Sequence, residues 1–146
     1  MDIYESLNRI LVDIFNDILD IERKALITDE FSDISVNDMH IIEAVGIKEP
    51  QTMGQISRYL GVTMGTLTTG LNGLVKKEYV VRYRSDKDRR VVYATLTEKG
   101  IAAYFHHQNF HKKMIEKVME DLQPGEAEVL IRTFDRLEQF FKSYDN

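Results

Sequence analysis

The chain has 146 residues, 43% hydrophobic and 10% aromatic, enough for one sizeable core and too apolar for a disordered protein. It contains no cysteine, which excludes disulfides, thiolate metal sites and thiol nucleophiles. It also contains no run of about 18 apolar residues, and its start, MDIYESLNRI, lacks the basic and then apolar layout of a signal peptide, so a cytoplasmic location without membrane contact is expected. The net charge of −5 argues against a nucleic-acid partner, but its distribution reverses that argument. Residues 52–100 hold nine Lys or Arg against four acids, and the remainder holds ten against twenty, so a basic face is mounted on an acidic body.

Residues 3–26 read as a helix, because Ile3, Leu7, Ile10, Ile14, Ile18, Ile21 and Ala25 keep one side apolar. Val12, Phe15 and Leu19 lie off that stripe and call for a second partner surface. Ser35 then caps a helix carrying Met39, Ile41, Ile42 and Val45, with Asp38 three residues after the cap and Gly46 near the end. After Pro50, Thr52 caps a short helix with Met53, Ile56 and Leu60, Gly61 closes it, and Thr63 caps the next helix. Two helices joined by a tight glycine turn have the order and length of a helix-turn-helix. From Lys77 the period changes: YVVRYR and VVYATL alternate as strands, with SDKDRR as the turn between them. Thr97 caps a helix to about Glu120, and a last helix is expected from Pro124 to about Tyr144, with Leu130, Phe134, Leu137 and Phe141 in one seam.

The helix after Thr63 poses a question. In VTMGTLTTGLNGL, Leu67, Leu71 and Leu74 form a buried stripe, but the other positions include four threonines and three glycines, poor residues for a helix. At 100° per residue, Gly65, Thr66, Thr69, Asn72, Gly73 and Lys76 fall opposite the leucines. Such a face suits close approach to a duplex. Glycine removes bulk, threonine offers a hydroxyl to base or phosphate and a methyl to thymine, and asparagine pairs with adenine. The free N–H groups at Thr63 and Met64 suit a phosphate.

The order helix, helix, helix-turn-helix, two-stranded wing, helix, helix resembles the MarR family of winged-helix regulators across essentially the whole chain. The wing carries the resemblance: Asp88-Arg89-Arg90 is similar to the family's D-x-R segment, and Leu96-Thr97-Glu98-Lys99-Gly100 to its L-T-x-x-G. Within the family, DISVNDMH, VTMGTLTTGLNGL and SDKDRRVV are most similar to the branch that represses fatty-acid synthesis genes. The fold implied is mainly helical with a small β-wing. A winged helix-turn-helix lobe over 31–100 is flanked by dimerisation helices from 1–30 and 101–146, all in one compact chain. The partner implied is double-stranded DNA with a pseudo-palindromic operator, bound by a homodimer. Arg90 matches the D-x-R arginine and is expected in the minor groove, braced by Asp88, with Arg84, Lys87 and Arg89 on phosphates.

The fatty-acid branch further implies acyl-acyl carrier protein as corepressor, its chain entering between the terminal helices and the DNA-binding lobe. Ile14, Ile18, Ile21, Phe105 and Phe110 are candidate linings. A second reading comes from Glu22, His40, His107 and His111, which resemble the ligand set of the family's zinc-sensing branch. Three imidazoles and a carboxylate suit tetrahedral zinc, but HHQNFH also reads as a surface or dimer-interface stretch, and a histidine in a polar helical run is usually just solvated. The preferred reading requires no cofactor. Catalysis is not expected, since no nucleophile and base pair is legible, and Gly65, Gly70 and Gly73 lack the lysine and serine of a phosphate loop.

Overall fold

A computed structural model describes residues 2–26, 28 and 30–145. In chain order the elements are α1 (Ile3–Leu26), α2 (Val36–Val45), β1 (Gln51–Thr52), α3 (Met53–Leu60), α4 (Met64–Lys76), β2 (Val80–Arg84), β3 (Val92–Leu96), α5 (Glu98–Met119) and α6 (Glu126–Lys142), closed by a 3-10 turn at Ser143–Asp145. The expected helices and wing strands are all present. The last helix begins two residues later than expected, because Gly125 takes a left-handed conformation (φ 89°) that L side chains avoid and leaves Pro124 outside the first turn.

Local chemistry starts each helix of the central lobe. The Ser35 hydroxyl accepts from the Asp38 N–H at 3.1 Å and the Asp38 carboxylate accepts from the Ser35 N–H at 3.0 Å, a reciprocal capping box. Thr52 and Gln55 form a second box at 3.1 and 2.9 Å. Gly61 turns between α3 and α4 with φ 68°, satisfying the end of α3 and aiming α4 across it. The leucine stripe of α4 is buried with Met39, Ile42 and Val45 of α2, Ile56 of α3, and Phe31 and Ile34 from the segment before α2.

The wing is antiparallel in the order β1-β3-β2. Tyr83 faces Tyr93 across β2 and β3, and their rings stack at 5.6 Å. β1 adds Gln51 and Thr52 to the free edge of β3 opposite Ala94 and Tyr93. Two residues carry no period, so only the fold reveals this strand.

The L-T-x-x-G segment has a structural explanation. Thr97 donates its hydroxyl to the Glu78 carbonyl (2.6 Å) and its N–H to the Tyr79 carbonyl (3.0 Å), and its oxygen accepts from the Gly100 N–H (3.1 Å). A Cβ on Gly100 would lie 2.1 Å from the Tyr79 carbonyl oxygen, so only glycine lets α5 start here. Tyr79 is itself buried and donates to Asp33 at 2.6 Å. Burial and that bond push its phenol above the usual tyrosine range.

Packing divides the chain between Phe110 and His111 into two compact units. The reason lies in the second unit: α6 has no buried residue, and Val129, Ile131, Phe134, Phe140 and Phe141 stay exposed. In the first unit, Leu7, Ile10, Phe15 and Leu19 of α1 are exposed likewise.

Candidate nucleic-acid interface

Among the residues expected to face DNA, Thr63, Met64, Gly65, Thr66, Thr69, Asn72 and Lys76 are all exposed on α4 or at its cap. Gly73 is half-buried, but a Cβ added there would meet no heavy atom within 4 Å, and at Gly65 it would meet only the Thr63 oxygen, at 4.0 Å. Gly70 differs, because its Cβ would lie 2.6 Å from the Ile41 methyl of α2. The three glycines of one helix therefore have separate causes. Gly70 lets α2 and α4 close together, and nothing inside the described chain requires the other two.

The threonine hydroxyls are largely committed. Thr68 donates to the Met64 carbonyl (2.7 Å) and Thr69 to the Gly65 carbonyl (3.1 Å), one turn back along the helix. Thr63 accepts from the Thr66 N–H at 3.1 Å and donates to the Thr66 hydroxyl at 3.0 Å.

At the wing tip Arg90 forms a fork on Asp88, with Nε to one carboxylate oxygen at 3.0 Å and an Nη to the other at 3.1 Å, while its side chain stays 92% exposed. Arg90 holds the Asp88 carboxyl below the usual aspartate range. Arg84 donates to the Arg89 carbonyl at 2.7 Å, closing the hairpin. Lys87 and Arg89 are exposed, and among the described residues their side chains make no hydrogen bond or ion pair. Lys77 and Lys99 are turned away from this duty. Lys77 donates to the Asp33 carbonyl at 2.5 Å, and Lys99 sits 3.7 Å from the Asp33 carboxylate and 4.3 Å from the centre of the Tyr79 ring.

The residues of the zinc reading meet in part. His107 is buried on α5, with Nε2 2.6 Å from Glu22 of α1, and its Nδ1 bonds Glu43 of α2. His40 Nε2 lies 3.7 Å from the same Glu22 oxygen. His111 follows one turn later on α5, in the second unit. Burial pulls the His107 pKa down, but the bonds to Glu43 and Glu22 outweigh it and the net direction is up. With a carboxylate at each ring nitrogen, His107 ties α1, α2 and α5 together. Glu43 escaped the sequence reading because nothing in its spacing distinguishes it from a solvated glutamate.

A cavity of about 420 Å³ opens between α2, the α3–α4 turn and α4. Ile41, Leu60, Val62, Leu67 and Gly70 form its apolar wall, and Asn37, Asp38, His40 and Thr66 its polar rim. None of the five residues expected to line an effector channel borders it. Ile14, Ile21 and Phe105 are exposed, Ile18 is half-buried, and Phe110 is half-buried beside the His107 ring at 6.5 Å.

A capped helix-turn-helix, a cationic wing and a small-residue face on the second helix define a winged-helix protein of the DNA-binding class. Residues 32–91 match the model of the MarR family. A solved structure, Streptococcus pneumoniae FabT in complex with DNA, is 40% identical with a TM-score of 0.88, covering 97% of this chain and 99% of that one. The chain belongs to the MarR family and is a winged-helix transcriptional regulator. Among curated relatives, Bacillus subtilis MhqR is 26% identical over 77% of this chain and 78% of its own length. PchR of the same organism is 28% identical over 54% of this chain and 47% of its own, so the chain spans about half the length of that relative. Among the described residues, no helix is long and apolar enough to cross a membrane.

Proposed function

We propose that two copies of this chain form a cytoplasmic repressor of fatty-acid synthesis genes, with acyl-acyl carrier protein as corepressor. The observation that carries this reading is the 40% identity, over nearly the full length of both chains, to FabT. The exposed apolar residues of α1 and α6 support dimerisation, because a monomer would leave them in water. In the dimer, two copies of α4 enter successive major grooves of a two-fold operator, the helix N-terminus at Thr63 and Met64 meets a phosphate, and Asn72 and Lys76 reach bases and backbone. Arg90, aimed by Asp88, enters the flanking minor groove, and Arg84, Lys87 and Arg89 hold phosphates.

An effector acts by favouring one spacing of the two α4 helices over another. The cavity beside Gly70 suits that role, since one of its walls belongs to α4 itself. The acyl chain is recognised by apolar area, at roughly 0.8 kcal/mol per buried methylene, so operator affinity rises with acyl length. The test is operator binding titrated with short-chain and long-chain acyl carrier protein, with zinc, and with chelator. Affinity increasing with acyl length and indifferent to chelator is expected. A strong zinc dependence lost in His107→Ala, with no acyl effect, would replace this reading by the zinc sensor.

A further inference from the structure

We propose that Thr69 helps to set the operator sequence, and that it does so by packing its Cγ2 methyl against the 5-methyl group of a thymine. The proposal rests on the repressor reading above, which places α4 in the major groove. From composition alone a threonine on this face could use its hydroxyl or its methyl. The structure separates the two, because the Thr69 hydroxyl donates to the Gly65 carbonyl at 3.1 Å. With the hydroxyl turned in against the helix, the methyl is the γ branch that projects from it.

The position of Thr69 makes that methyl reachable. At 100° per residue it lies roughly 200° around the helix from the buried Leu67, at the middle of the exposed face. Its neighbours one turn away, Gly65 and Gly73, carry no side chain, and the space above Gly73 is open for 4 Å. Thr68 also bonds back to the helix, but it sits roughly 100° from Leu67, at the edge of the face. Thr66 and Asn72 on the flanks, and Lys76 two turns further along, keep polar groups for base edges or phosphate, so Thr69 is an apolar reader near the centre of the face. Thymine is the base that presents a methyl in the major groove.

The experiment uses the full chain and the duplex it enriches most strongly from a randomised library. Thymines are replaced by deoxyuridine one symmetric pair at a time, and affinity is read by fluorescence anisotropy at fixed salt. One pair is expected to weaken the wild type about fifteen-fold, from roughly four-fold per methyl in each half-site. Thr69→Val keeps the methyl and stays sensitive at that pair. Thr69→Ser keeps the hydroxyl, binds the thymine duplex as weakly as the wild type binds the deoxyuridine one, and is indifferent to the exchange. A wild type that binds its selected duplex tightly but ignores deoxyuridine at every pair overturns the inference alone, as does a Thr69→Ser protein with undiminished sensitivity. A wild type that enriches no sequence overturns the repressor reading and this inference with it.

Discussion

Replacing Gly73 by alanine separates stability from DNA binding. Gly73 lies inside α4 with an ordinary helical backbone, and its added Cβ would meet no heavy atom within 4 Å. The protein alone therefore gains the helix-propensity difference of about 0.5–1 kcal/mol, which in a chain of this size raises Tm by about 2–4 °C at fixed protein concentration. In the proposed mode of binding, the same methyl enters space that the duplex fills on the operator. Overpacking costs about 1–3 kcal/mol at a well-packed contact, and in a dimer it acts twice, so affinity falls by at least roughly thirty-fold. Gly70→Ala is the control: its Cβ would lie 2.6 Å from the Ile41 methyl, so repacking offsets the propensity gain and Tm does not rise. Calorimetry and fluorescence anisotropy on the three proteins decide the matter. A Gly73→Ala protein that is less stable, or that binds its operator as tightly as the wild type, refutes the assignment of this glycine to DNA clearance.

In the wing, Arg90→Ala is expected to weaken specific binding, whereas Lys87→Ala weakens all duplexes alike and lowers the salt slope by about one unit per half-site; unchanged affinities across a salt series would contradict both assignments. His107→Ala removes the imidazole 2.6 Å from the buried Glu22 and is expected to cost about 3–5 kcal/mol in urea unfolding. Because the folded pKa of His107 is raised above its ordinary value near 6.5, its contribution is fully present below about pH 6.5 and is lost as pH rises through the folded value. Wild-type stability should therefore fall over that interval and the His107→Ala profile should flatten there, as urea midpoints against pH would record. Gly100→Ala sets a Cβ 2.1 Å from the Tyr79 carbonyl oxygen, a backbone atom that cannot turn aside, so a loss of at least about 3 kcal/mol is expected in thermal melts followed by circular dichroism.

Much of the central lobe was legible because its signals are local. Ser35, Thr52 and Thr63 start helices through bonds to residues three positions on, and Gly61 ends one, so a short window holds the whole cause. The Leu67, Leu71 and Leu74 stripe needs only the helical period to declare its buried side. The Asp88 fork on Arg90 spans two residues, and it too can be read from the sequence.

What the sequence could not decide depends on partners brought together from far along the chain. Gly65, Gly70 and Gly73 look alike in VTMGTLTTGLNGL, and only the position of Ile41 shows that Gly70 serves the fold while the other two leave space. The Gly100 requirement comes from a carbonyl 21 residues earlier, at Tyr79. His107 ties three helices together because Glu22 and Glu43, 85 and 64 residues away, converge on its two nitrogens. Residue type fixes what a side chain is able to do, but burial and the atoms packed around it select which of those capacities is used. That selection is non-local, so it belongs to the tertiary structure.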